Sequence, residues 1–174
     1  GLDKLEALNT DFEDKEVLTI TSKTVDGDKQ QNFLANPNVE AKKYDLVIYS
    51  PVITSSVSIT ENVFEANFGI FGGVITPMDA VQMLRRDRTA TEFTVGLKKV
   101  MSRDFYSDNV ERIITGQERI TGEGATEFDV LAAGIQADTN QLKNFFVPAF
   151  VYSCELDGFE VNIMRADKEY KKKA

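Results

Sequence analysis

The sequence predicts an α/β fold with a mainly parallel sheet, helices on both faces and a helical C-terminal extension. Three observations carry that reading. Helical and strand-like segments alternate over the first hundred residues; Tyr44–Ser50 (YDLVIYS) has an almost continuous apolar centre, as in a strand buried on both faces of a parallel sheet; and beyond about Met101 the strand-like runs give way to helical periodicity. The expected division is residues 1–100 as the α/β domain and 101–174 as the helical extension.

Leu2, Leu5, Leu8 and Phe12 recur at helical spacing with charges between them, giving an amphipathic first helix. Val17–Thr21 (VLTIT) is β-branched and of strand length. A polar loop with Asp26-Gly27-Asp28 leads into a helix over Gln30–Ala35, which Asn36-Pro37 ends. After the Tyr44–Ser50 strand comes a third short strand, Asn67–Phe71, punctuated by Gly72-Gly73. Thr76 is placed as N-cap of the next helix, with Pro77 at its first position and Asp79 in its first turn, and the helix runs toward Arg88. Phe93–Leu97 is the fourth strand. Helices are expected over Ser107–Ile114 and Glu127–Phe146, the second with Phe128, Leu131, Ile135, Leu142 and Phe146 near helical spacing and Pro148 as its kink or end. Gly158–Met164 reads as a terminal strand and Lys168–Ala174 as a charged, frayed tail.

Composition narrows the chemistry. The 174 residues include no His, which removes imidazole as base, acid or metal ligand, and the one cysteine, Cys154, allows neither an internal disulfide nor a thiolate zinc site. Cys154 is expected to be reduced. The net charge of −8 argues against autonomous binding to nucleic acid. It is unevenly spread: Asp79–Arg103 holds six basic and three acidic residues, a local +3 against −11 elsewhere. No apolar run of about 18 residues is present and no signal-like N-terminus, so a cytoplasmic location without membrane contact is expected. The initial Gly1 in place of Met points to a piece of a longer chain.

Neither Gly-x-x-x-x-Gly-Lys-Ser/Thr nor Gly-x-Gly-x-x-Gly occurs, so the chain by itself has no phosphate cradle of those types. Two other segments carry possible chemistry. Ser50-Pro51-Val52-Ile53-Thr54-Ser55-Ser56-Val57-Ser58-Ile59 leaves the carboxyl end of the strongest strand, where open α/β sheets bind ligands. Its hydroxyls either meet phosphate or ribose oxygens or only cap backbone groups in a polar turn. Gln82-Met83-Leu84-Arg85-Arg86-Asp87-Arg88 closes the Pro77 helix. Its arginines either grip a phosphate bidentately or merely answer the helix dipole.

In their order, Leu18-Thr19-Ile20-Thr21-Ser22, Phe33-Leu34-Ala35-Asn36-Pro37, Tyr44–Ser58, Phe68-Gly69-Ile70-Phe71-Gly72-Gly73 and Asp79–Arg88 resemble the second RecA-like lobe of superfamily 2 helicases. The match is nearest to the helicase region of plasmid and phage replication proteins of the cyanobacterial plasmid type, and more distant to herpesvirus origin-binding proteins. It covers about residues 15–97. The resemblance implies an ATP-dependent DNA helicase whose Ser50, Thr54, Ser55 and Ser58 belong to motif V, coupling nucleotide state to DNA. Gln82, Arg86 and Arg88 would be motif VI, binding nucleotide, with Arg86 and Arg88 as catalytic finger candidates. ATP and Mg²⁺ would be cofactors of the intact protein, tightly bound by neither this chain nor a metal site in it. The implied partners are the first RecA-like lobe of the same polypeptide and DNA. Two positions depart from the family: Ser56 stands where Gly is usual in motif V, and Arg85 where Gly often precedes the first arginine. The other class open to the sequence is a non-catalytic α/β interaction module of a replication initiator, its arginines binding an acidic partner.

Overall fold

The computed structural model describes residues 14–53 and 57–164. The expected N-terminal helix, Thr54, Ser55 and the charged tail lie outside the described residues. Within them the protein is mixed α/β, with six α-helices and two small two-stranded parallel sheets. The chain divides into two compact units: the residues up to Phe71 with Gln82–Gly96, and Gly72–Val81 with the residues from Leu97 onward.

In the first unit, β1 (Val17–Ile20) and β2 (Leu46–Tyr49) run parallel, from Val17 opposite Leu46 to Ile20 opposite Tyr49. Parallel pairing requires a crossover. It is made by α1 (Asp28–Ala35), α2 (Pro37–Glu40) and a 3₁₀ turn at Ala41–Lys43. The loop entering α1 is tied to the strand, because Thr24 Oγ1 and Gln30 Nε2 both donate to the carbonyl of Thr19, at 2.9 and 3.0 Å. Pro37 ends α1 and opens α2, where its missing N–H leaves no helical bond unmade. Leu18, Ile20, Phe33, Ala41, Ile53, Val57 and Ile59 form the core of this unit.

β3 (Phe68–Phe71) and β4 (Thr94–Leu97) make the second pair, joined through α3 (Pro77–Leu84). Thr94 N donates to the carbonyl of Asn67, and Gly96 lies beside the carbonyl of Gly69, so the two strands advance in the same direction. Gly69 is required by close packing: a Cβ there would sit 2.7 Å from the Phe71 ring and 2.9 Å from the Leu84 side chain. Thr76 caps α3 as expected, its Oγ1 accepting from Asp79 N at 3.1 Å and donating to Asp79 Oδ2 at 2.7 Å.

Three sequence expectations need correction. The four strands fall in two pairs rather than one ladder. After β2 the chain enters Pro51 and the hydroxyl loop, and before β3 the extended pairing among the described residues is a single-residue bridge, Ile59 to Asp87. β2 is correspondingly half-buried along its whole length, because it has one strand neighbour instead of two. Gly158–Met164 forms no strand: Gly158 adopts φ +86°, no strand pairs with the segment, and Ile163 and Met164 are exposed.

The second unit contains α4 (Val110–Thr121), α5 (Glu127–Asn144) and α6 (Phe146–Leu156). α4 starts later than the sequence suggests and runs further, since the Asn109 side chain caps it by accepting from Arg112 N and Gly122 ends it at φ +74°. Thr126 and Asp129 form a capping box at the start of α5, and hydrogen bonds from Thr126 hold the Asp129 carboxyl below the usual carboxylate range. The helix breaks at Phe145, before Pro148. Pro148 instead occupies the first turn of α6, where the lost N–H has no partner to forfeit. Buried Asn144 clips residue 106 to α5, accepting from Tyr106 N at 2.8 Å and donating to its carbonyl at 2.9 Å. Asn140 donates to the carbonyl of Ser107.

The packed face of α5 is not the one the apolar spacing marks. Ala133 and Ala137 pack against Ile113 of α4, whereas Phe128, Leu131, Ile135 and Leu142 are exposed. Small side chains permit the close approach of α4, and the bulky row is left on the outside. Phe146, assigned by sequence to the same row, is instead buried on α6, stacked on Phe150 with ring centroids 5.7 Å apart.

Candidate functional site

The hydroxyl loop and the arginine segment meet within the first unit. β2 ends at Tyr49, whose hydroxyl donates to the carbonyl of Met83 at 2.9 Å and so ties the strand end to the last turn of α3. Ser50 continues the edge of the pair, its N–H donating to Ile20 O, and Ile53 N then donates to Ser50 O to close a turn. On the far side of the loop, Ile59 N donates to Arg86 O and Arg88 N donates to Ile59 O, both at 2.8 Å. Ser58, half-buried between Val57 and Ile59, therefore lies against the arginine segment.

Arg86 bridges the loop itself. Its Nη2 donates to Ile53 O at 3.0 Å and its Nη1 to Val57 O at 3.3 Å, the carbonyls on either side of residues 54–56. The two ends of the hydroxyl loop are thus held by one planar guanidinium, a geometry that an ammonium cannot reproduce. Its buried Nε has no partner among the described residues. Burial pushes the Arg86 pKa down, the Tyr49 hydroxyl opposes that shift, and neighbouring Arg88 adds to it. Burial raises the Tyr49 pKa, with Arg86 opposing and Asp87 reinforcing, so the phenol stays a neutral donor at physiological pH.

Arg88 and Gln82 are exposed. Of the two finger candidates, Arg86 has two donors committed to the loop, while Arg88 keeps its fork at the surface. Between them Asp87, only 5% exposed, accepts from Asn67 Nδ2 and from both the N–H and the hydroxyl of Thr89. This knot fixes the backbone from which the arginines project. Thr54 and Ser55 lie outside the described residues; of the other coupling candidates, Ser58 lies between Val57, which accepts from the Arg86 side chain, and Ile59, which pairs with the Arg86 and Arg88 backbone, while Ser50 closes the turn whose Ile53 carbonyl accepts from Arg86.

Tyr49, Asn67, Asp87 and Thr89 escaped the sequence reading. A tyrosine at the end of an apolar strand needs a hydroxyl partner, and an acid set between arginines signals a local anchor. Neither signal names its partner, which lies 34 residues away for Tyr49 and 20 for Asp87.

Cys154 is a buried, free cysteine whose thiol is pushed up first by burial and then by Asp157 and Glu155, which suppresses its thiolate. Among the described residues no group of three or more Cys, Asp or Glu side chains is placed to hold a metal ion, and no helix is long and apolar enough to cross a membrane. No protein-family model, curated protein or solved structure matches the chain.

Proposed function

We propose that this chain is the second, RecA-like motor lobe of an ATP-dependent DNA helicase acting in plasmid or phage replication. The observation that carries the reading is the Arg86 guanidinium laid across the carbonyls of Ile53 and Val57, because it joins the segment resembling motif VI to the one resembling motif V. A motor needs that junction: nucleotide state sensed by one segment must alter the backbone of the other, which faces DNA. Parallel strand pairs with helical crossovers agree with the same reading.

In this account the roles divide. Exposed Arg88 reaches the nucleotide held by the first lobe and stabilises charge developing on the transferred phosphoryl group, with Gln82 contacting the same nucleotide. Arg86 is the positioning residue that braces the loop. Ser50, Thr54, Ser55 and Ser58 offer hydroxyls to the DNA backbone. The exposed guanidinium and amide suit phosphate oxygens. The phosphate loop, Mg²⁺ ligands and water-activating carboxylate belong to the first lobe, since the sequence here lacks the cradle.

The chain 1–174 alone is therefore expected to release no phosphate from Mg·ATP above buffer, with or without single-stranded DNA. Steady-state phosphate release checks this. Turnover that survives both Arg86→Ala and Arg88→Ala would reveal an independent site and end the shared-catalysis account.

A further inference from the structure

In the second unit, lysines and exposed aromatic rings share one surface. Lys98 and Lys99 follow β4 and are exposed, as are Phe105 and Tyr106 beyond the 3₁₀ turn at Ser102–Asp104. The end of α5 adds Lys143 and Phe145. Lys143 Nζ lies 5.5 Å from the centroid of the Tyr106 ring, and Phe145 meets Phe105 with centroids 5.7 Å apart and planes tilted by 59°. Asn144, between the two, holds both backbone groups of Tyr106. Gly72 and Gly73 connect the lysines to the rings: a Cβ at Gly72 would stand 3.3 Å from the Lys98 side chain, and one at Gly73 2.8 Å from the Lys143 carbonyl. Phe145 is 53% exposed although it leans on Phe105, so aromatic surface stays open two residues from a cation. Lys98, Lys99 and Lys143 make no ion pair among the described residues, whereas Arg103 has Asp104 at 3.8 Å.

We propose that this surface binds single-stranded nucleic acid, with a base stacked on Phe145 and the phosphates of the strand on Lys143, Lys98 and Lys99. None of these residues belongs to the hydroxyl or arginine segments. Open rings suit an unpaired base, whose face a duplex would hide, and lysines bind phosphate as point charges. The net charge of −8 favours a strand over an anionic bilayer. A bilayer brings the chain's acids against a charged plane, while a flexible strand can follow the lysines alone. The same net charge keeps the binding weak and sensitive to salt.

Fluorescence anisotropy of a labelled oligo(dT) of about 15 nucleotides, titrated with the 174-residue chain without ATP, tests this apart from the motor reading. Saturable binding is expected at about 10–100 µM chain in low salt, and three phosphate contacts predict a loss of roughly twentyfold between about 50 and 200 mM salt. An abasic strand of the same length should bind at least about fivefold more weakly, as should oligo(dT) to Phe145→Leu. Lys143→Gln should flatten the salt slope by about 0.7. No binding at about 200 µM chain in low salt, equal affinity for the abasic strand, or stronger capture by phosphatidylserine vesicles than by oligo(dT) would overturn the proposal. Should Phe145→Leu melt early, the abasic strand on the unaltered chain decides alone: weaker binding supports the stacked base and equal binding refutes it.

Discussion

In the intact protein, Arg88→Ala should lower ATP turnover about 10³-fold or more while leaving the thermal melt nearly unchanged. Arg88 is exposed and its side chain makes no hydrogen bond among the described residues, so on the proposed role its loss would be felt where phosphoryl charge develops. Arg88→Lys should not restore the rate, because an ammonium lacks the bidentate fork. Arg86→Ala should behave differently. It strips donors from the carbonyls of Ile53 and Val57, so a stability loss of about 1–3 kcal/mol is expected together with reduced turnover. If Arg88 only answers the α3 dipole, Arg88→Ala will cost less than about 1 kcal/mol and hydrolyse ATP normally. Steady-state ATPase with parallel melts separates these cases.

Phe33→Ala should be the most destabilising single truncation in the first unit, at about 3–5 kcal/mol. Phe33 is 1% exposed and is the one buried side chain of α1, an eight-residue helix too short to persist unpacked. Removing the ring leaves a cavity among Leu18, Ile20 and Ile53 and frees the crossover that keeps β1 and β2 parallel. Phe128→Ala gives the matched control: that ring is 75% exposed, and its loss should change monomer stability by less than about 0.5 kcal/mol. Urea midpoints of the two variants make the comparison.

The contrast between these two phenylalanines marks what the sequence could say. Local signals were legible: β-branched Val17–Ile20, the Thr76-Pro77 start of α3 and the Asn36-Pro37 stop all act through neighbouring residues, and each of these boundaries stands within a residue or two of its expected place, although α3 ends at Leu84, short of the arginines it was expected to carry. Long-range pairing was not. Helical periodicity marks Phe128, Leu131 and Ile135 as one face but cannot tell whether the partner lies in the same chain, and here the smaller alanine face takes the internal contact. Gly158–Met164 alternates like a strand yet has no edge to join. At the site, the order of the hydroxyl and arginine segments was visible, whereas the division of labour between Arg86 and Arg88 depends on carbonyls 29 and 33 residues away from Arg86. Burial and backbone acceptors decide that division, and neither is written in side-chain identity.

If catalysis is shared with a preceding lobe, the coding sequence immediately upstream of Gly1 encodes that lobe. A Gly-x-x-x-x-Gly-Lys-Ser/Thr phosphate loop followed by an Asp-Glu pair at a strand end is expected there, within a few hundred residues and in the same reading frame. An upstream sequence containing neither would contradict shared catalysis, and would leave the arginine segment as the anchor of a non-catalytic module.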